Sequence, residues 1–386
     1  MEGMGNGNTK VNLAQLTWMR GLAAFWVICS HVNRAAEVGY TPQDTASNSV
    51  ILSIFDLGTL GVALFFTLSG VTLFLSNQKI STESPLRFYI KRFFRIWPAY
   101  FVALMIYILA GFLFREWYIG DPELWVAGQF MAEYSGSDVA LYSILVFNVS
   151  GPNGLFNNAF WSLPVEFQYY LAFPVLILML GWFGIAGPII FGVLAYMGYR
   201  VGLVNLHNNL VFIFAFTFCS GVCIASVYQK FNFRFSLLFF SVTSIFILTL
   251  NILMVNEIVP LNVYVFIPSE WVFFGLSAIA LVTLATFTEI KLPLRLEKFM
   301  VYYGDISYST YLYHNLVIGF LVIGIPFFSI YTPTVRLFYL FFLTVLITYA
   351  ISVLSYRFIE QPFMKIGRKV SKISFRSKRV EKTPLQ

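Results

Sequence analysis

"RGLAAFWVICSH", residues 20–31, is an apolar helical stretch that opens on a guanidinium and closes on an imidazole. At about 100° and 1.5 Å per residue, Arg20 and His31 fall on almost the same helix face, roughly 16 Å apart along the axis. Ionisable groups are costly in hydrocarbon, and those retained there are as a rule functional. The pair therefore predicts a membrane-crossing helix with one face turned to a polar interior. The plainer alternative is that Arg20 snorkels to the headgroups and His31 caps the span.

Composition points the same way. Of 386 residues, 58% are hydrophobic, 19% aromatic and only 11% charged, which excludes an ordinary soluble domain with a polar surface. The expectation is an all-α, polytopic membrane bundle. Cys29, Cys219 and Cys223 lie in apolar stretches without disulfide or zinc spacing and read as packing residues; no metal site is expected. The first apolar stretch is long, charged and without a small-residue cleavage site, so it reads as a retained span and not a secretory signal. The net charge of +7 fits Lys and Arg gathered at a cytosolic rim, and no nucleic-acid partner is expected.

Ten stretches approach the roughly 20 apolar residues a span requires. They lie near 13–32, 51–75, 97–114, 161–183, 185–204, 210–229, 235–255, 269–288, 305–329 and 334–358. An eleventh, "VALYSILVFNV" at 139–149, is too short and runs into the turn-rich "SGPNGLFNN". With ten spans and both termini cytosolic, 20 of the 25 Lys and Arg fall on the cytosolic side, as the positive-inside bias requires. Residues 115–160 are then expected on the outer face. One membrane domain covers residues 1–365. The basic tail 366–386 is expected to be disordered and to lie against an anionic leaflet, or to serve only as a topology anchor.

Further polar residues recur at helical spacing. In "PLRFYIKRFFRIWPAYF", 85–101, Arg87, Lys91 and Arg95 form an i, i+4, i+8 stripe with Arg92 beside it. Such a stripe suits either phosphate binding or interfacial anchoring. "FWSLPVEFQYYLAFP", 160–174, places Pro164 in a first helical turn and sends Glu166 into the outer leaflet, with His31 as its candidate partner. Ser307, Tyr311 and His314 share a face at i, i+4, i+7, and His314 is expected near mid-membrane. Ser69 and Gly70 lie inside the second span, where small residues usually allow close packing. His207 sits in a polar loop and is assigned nothing. Arg357 and Glu360 read as an i, i+3 pair ending the last span, with Pro362 stopping the helix.

Six blocks in order carry a resemblance: "LTWMRGLAAFWVICSHV", "LGVALFFTLSGVTLF", "FYIKRFFRIWPAY", "AFWSLPVEFQYYLAFPVL", "YGDISYSTYLYHNL" and "SYRFIEQPF". Together they resemble the acyltransferase 3 family of integral-membrane O-acyltransferases. The resemblance implies a bacterial inner-membrane enzyme of about ten spans. It would move an acetyl group from acetyl-CoA to a hydroxyl of a cell-surface or exported glycan, with lipids, antibiotics and other small molecules as further known acceptors. By position, His31 and Arg20 match the family's essential first-span pair, Arg92 and Arg95 its Arg-x-x-Arg motif, and Glu166 its acidic residue. Two departures stand out: "SLPVEFQYY" leaves Glu166 as the only carboxylate of its block, and a short basic tail stands where many relatives have a soluble domain.

The resulting expectation has acyl-CoA entering from the cytosol, its phosphates on Arg92, Arg95 and Lys91 and its thioester arm passing Arg20 and His314. His31, oriented by Glu166, would deprotonate the acceptor or carry the acyl group itself. Ser69, Trp161, Ser162 and Tyr311 complete the candidate substrate-binding set, with Trp117 and Trp125 as possible sugar-facing rings or interface anchors. The co-substrate is acyl-CoA, no bound cofactor is expected, and the bilayer is the surrounding partner. The sequence does not reveal the oligomeric state. The alternative is a proton-coupled carrier, which also uses intramembrane Arg, His and Glu.

Overall fold

In a solvent without water, a spanning backbone must satisfy its own hydrogen bonds, so apolar runs of this length become helices. The computed structural model describes residues 13–36, 52–77, 85–117, 125–151, 154–201, 210–231, 233–256, 270–324 and 332–380, and all regular structure among them is helical. The early helices are α1 (Leu13–Ala35), α2 (Gly58–Ser76), α3 (Pro85–Trp117), α4 (Trp125–Met131), α5 (Gly136–Ser143) and α6 (Phe147–Ser150). A short turn at Asn158–Trp161 leads into α7 (Ser162–Phe183), followed by α8 (Ala186–Arg200), α9 (Leu210–Ile213), α10 (Ala215–Lys230), α11 (Leu237–Val255) and α12 (Glu270–Thr286). The chain closes with α13 (Leu294–Asp305), α14 (Ser307–Gly324), α15 (Pro333–Ser355) and α16 (Gln361–Val380).

Six of these helices are long and apolar enough to cross a membrane, or seven if α13 and α14, bent by 68°, form one span. The shortfall from the expected ten has a local cause. α8 and α12 have only 15 and 17 residues, and α1 carries Arg20, His31 and Arg34. The outward surface is apolar where lipid would meet it: α11 exposes Leu237, Leu238, Val242, Ile245 and Phe246. Exposing such side chains to water would be unfavourable; in hydrocarbon they need no partner.

α1, α2, α10 and α14 form the centre. Small residues let their backbones touch. A Cβ at Gly70 of α2 would stand 2.2 Å from the Phe218 carbonyl oxygen, and one at Gly221 of α10 would stand 2.2 Å from that of Thr67. The packing expected at Gly70 is therefore present. α2 runs antiparallel to α1, with Gly58 against Ser30 and Gly61 against Ala23. α13 closes on α1 in the same way, where a Cβ on Gly304 would meet the Thr17 carbonyl oxygen at 2.0 Å.

The segment expected on the outer face behaves differently. After α3 the chain turns back alongside it. Phe130 of α4 packs on Tyr107 and Phe114, with its carbonyl against Gly111. At the end of α5, the Trp97 indole donates to Ser143 O at 2.8 Å and the Tyr100 hydroxyl to Tyr142 O at 2.8 Å. From Phe114 to Trp97 is about 25 Å along a helix axis. The arm 125–161 thus re-enters the bundle. "VALYSILVFNV" is neither a span nor a surface loop: Tyr142, Phe147 and Asn148 are fully buried. Irregular backbone is tolerated at such depth only where protein groups satisfy it. Here the Tyr142 hydroxyl accepts from Leu155 N, Gln129 Oε1 accepts from Asn158 N, and Asn157 donates to Leu312 O.

The carboxyl-terminal reading is corrected too. Pro362 does not stop the helix. A π-helical turn, Tyr356–Glu360, in which Gln361 N–H bonds Tyr356 O five residues back, carries α15 into α16. Such a turn shifts the bonding register and makes room for a proline. The tail expected to be disordered is helical as far as Val380. Arg357 and Glu360 do not pair: Arg357 is exposed over the Phe358 ring, while Glu360 is 1% exposed and accepts from Ser309.

Candidate functional site

The inward face of α1 organises the site. Near its first turns, Arg20 lines a narrow cleft with Ser162, Glu166, Ser307, Tyr308 and Tyr311. The carboxylate of Glu166 accepts hydrogen bonds from Tyr170 and, at 3.1 Å, from Ser69. The charges acting on Arg20 are Arg95, Glu166 and Glu360. Arg92 lies over the rings of Phe88 and Tyr170, 5.5 Å from each centroid, and is acted on by Arg95, Arg20 and Glu166. Three guanidiniums and two carboxylates are thus near enough to influence one another without forming an ion pair among the described residues, and the Arg92 Nε is buried there without a hydrogen-bond partner. Such a cluster can hold a multiply charged anion.

Arg95 donates to the Met364 sulfur at 3.1 Å, so the Arg-x-x-Arg pair faces α7 and α16, not a lipid headgroup layer. Lys91 is half-buried on the same helix.

The second station lies further along α1. His31 Nδ1 is 2.6 Å from Nε2 of the fully buried His314. The ring planes differ by 8° and their centroids are 4.9 Å apart. That separation is accounted for by the N···N contact plus the two ring radii, so the imidazoles lie edge to edge in one plane, as a hydrogen bond requires, and are not stacked face to face. His314 Nδ1 faces the carbonyls of Tyr311 and Thr310 at 2.9 and 3.2 Å.

Tyr311 connects the stations. Its hydroxyl donates to Ala159 O at 2.6 Å and so accepts from Ser162 at 2.6 Å. Its ring contacts His314 on one side and Phe65, a cleft residue, on the other. Asn157 pins the re-entrant arm here, accepting from Asn315 at 2.8 Å.

The structure therefore brings Arg20, Ser69, Arg92, Ser162, Glu166 and Tyr311 together, and His31 with His314. It does not make the expected His31–Glu166 contact. α7 starts inside the bundle because the arm before it dips inward, so Glu166, one turn on, lies at the level of Arg20. Trp161 turns to Phe214 and Trp271 and away from the cleft. Trp117 is exposed, and the Trp125 side chain and His207 lie outside the described residues. Sequence reasoning missed Glu360 and Ser309, which join the site through the π-helical turn. The one available signal was a carboxylate in an otherwise apolar helix end, "FIEQPF", assigned there to Arg357.

A helical membrane bundle with a buried line of cations, carboxylates and imidazoles defines the class: a membrane-embedded protein with a polar interior site. A family model described as an acyltransferase domain matches residues 13–353, and the chain belongs to the acyltransferase 3 family. It is similar to acyltransferase MdmB of Streptomyces mycarofaciens, 30% identical over 43% of this chain and 39% of that one. Nodulation protein 10 of Rhizobium leguminosarum bv. viciae is 24% identical over 81% of this chain and 84% of its own. "Putative O-acetyltransferase SACOL0978" of Staphylococcus aureus (strain COL) is 26% identical over 92% of this chain. The chain spans 39% of the Streptomyces relative and 58% of the staphylococcal one. No solved structure matches it.

Proposed function

We propose that the protein transfers an acyl group, most simply acetyl, from acyl-CoA to a hydroxyl of a cell-surface or exported glycan across a bacterial inner membrane. The observation that carries this reading is the succession of polar groups from Arg20, Glu166 and Tyr311 around the cleft to His314 and His31 beyond it, which leads from a guanidinium cluster to an imidazole pair. The positive-inside bias turns the guanidinium end to the cytosol, where acyl-CoA is available. Its phosphates would meet Arg92 and Arg95, with Lys91 nearby, and its arm would follow the cleft past Arg20.

At the far station the acceptor oxygen attacks the thioester carbonyl carbon while the His31 imidazole takes the hydroxyl proton. A C–O bond forms, the C–S bond breaks, and the CoA thiolate leaves, regaining its proton from the imidazolium. The names of the relatives support an acyl, and in one case an acetyl, group. Purified protein in detergent, given labelled acetyl-CoA and candidate glycans, should release CoA and label the acceptor, and His31→Ala should insert normally yet transfer nothing. A carrier would leave the thioester intact, and normal transfer by His31→Ala would refute the reading.

A further inference from the structure

The two imidazoles carry information about each other's hydrogens. His314 Nδ1 faces two backbone carbonyls, Tyr311 O at 2.9 Å and Thr310 O at 3.2 Å, and carbonyl oxygens only accept. Nδ1 of His314 must therefore carry a hydrogen. His314 is 0% exposed, no carboxylate among the described residues is in contact with it, and an imidazolium there would be an unpaired buried charge. In the neutral ring its Nε2 holds a lone pair, and that lone pair faces His31 Nδ1 at 2.6 Å. The shared hydrogen then belongs to His31 Nδ1. In a neutral His31 the remaining nitrogen, Nε2, holds the basic lone pair.

We propose that His314 is a positioning residue: anchored by the carbonyls of α14, it holds His31 in the Nδ1–H tautomer and thereby makes Nε2 the nitrogen that meets the reacting hydroxyl. The arrangement does for an imidazole what a carbonyl or carboxylate partner does for other working histidines, selecting the tautomer through the nitrogen that does not react. The catalytic meaning rests on the acyl-transfer reading; the tautomer does not.

The chain has only three histidines, so the test is spectroscopic. Full-length protein labelled with ¹⁵N-histidine in nanodiscs, with His207→Asn to remove the third signal, should show both remaining rings neutral and protonated at Nδ1. His314→Gln keeps an acceptor oxygen near the position of Nε2 and should leave the His31 signals in place, with transfer within several-fold of wild type. His314→Leu removes the acceptor. His31 should then move to the Nε2–H form, and kcat should fall on the order of 100-fold with KM for acyl-CoA little changed. A wild-type His31 protonated at Nε2, or one indifferent to His314→Leu, overturns the proposal. If the tautomers follow this pattern while wild type transfers no acyl group, the positioning inference stands and the proposed activity fails.

Discussion

Ser69 of α2 donates a 3.1 Å hydrogen bond to Glu166 of α7, fastening the carboxylate that acts on both Arg20 and Arg92. The bond joins two helices that are distant in sequence at the level where the guanidiniums converge. Removing that carboxylate leaves buried cations short of compensation. Glu166→Ala, which also takes the acceptor from Ser69 and Tyr170, should therefore destabilise the folded bundle by about 1–3 kcal/mol, the cost of leaving buried hydrogen-bond donors unmatched. Glu166→Gln, which still accepts from Ser69 and Tyr170, should fall between it and wild type. Thermal unfolding in detergent measures both, and equal midpoints for all three proteins would count against the buried network.

Arg92 is planar, lies 5.5 Å from the ring centroids of both Phe88 and Tyr170, and has an unmatched Nε among the described residues. A lysine supplies charge but neither the fork nor the flat surface. Arg92→Lys should raise KM for acetyl-CoA by about tenfold, equivalent to about 1.4 kcal/mol. With acetyl-pantetheine, a donor without the nucleotide phosphates, the two proteins should show the same KM. A defect of equal size with both donors would mean that Arg92 does not read phosphate.

Gly70 and Gly221 meet where α2 crosses α10 without room for a methyl group. The obstacle at Gly70 is backbone, which cannot rotate away as a side chain can. Gly70→Ala should cost about 1–3 kcal/mol through overpacking. Because Ser69 is its neighbour, transfer should decline along with the thermal midpoint. A fully stable Gly70→Ala protein would show that the helices can separate freely.

Arg357 and Glu360 make a clean contrast. Exposed Arg357→Ala should change stability by no more than about 0.5 kcal/mol, as for a surface position without special contacts. Glu360→Ala should cost about 1–3 kcal/mol, because the buried Ser309–Glu360 hydrogen bond is lost and Ser309 is left with Ser355 as its acceptor. Comparable losses in the two variants would restore the pairing inferred from their i, i+3 spacing.

Much of this molecule is written locally. The 3.6-residue period of α1 put Arg20 and His31 on one inward face, and the same counting put Ser307, Tyr311 and His314 on one face of α14. Hydropathy marked the helices because the tendency of an apolar run to close its own hydrogen bonds depends on little beyond the run itself. It was less reliable at α8 and α12, whose short lengths leave their spanning undecided by composition.

What tertiary structure decided was depth and partnership. A helix's period says which way Glu166 points but not how far into the bundle its first turn begins. That depth is set by the arm 125–161, held down by Tyr142 on α3 and Asn157 on α14 and braced internally by Gln129 on Asn158 N. The arm moved Glu166 from His31 to Arg20, and left His31 to pair with a residue 283 positions away. The π-helical turn moved Glu360 inward by the same logic, since one added residue in a turn rotates every side chain after it. Sequence by itself determined that this is a helical bundle with ionisable groups on its inner faces. Only the folded chain, through long-range contacts that no local period encodes, decided which of those groups meet.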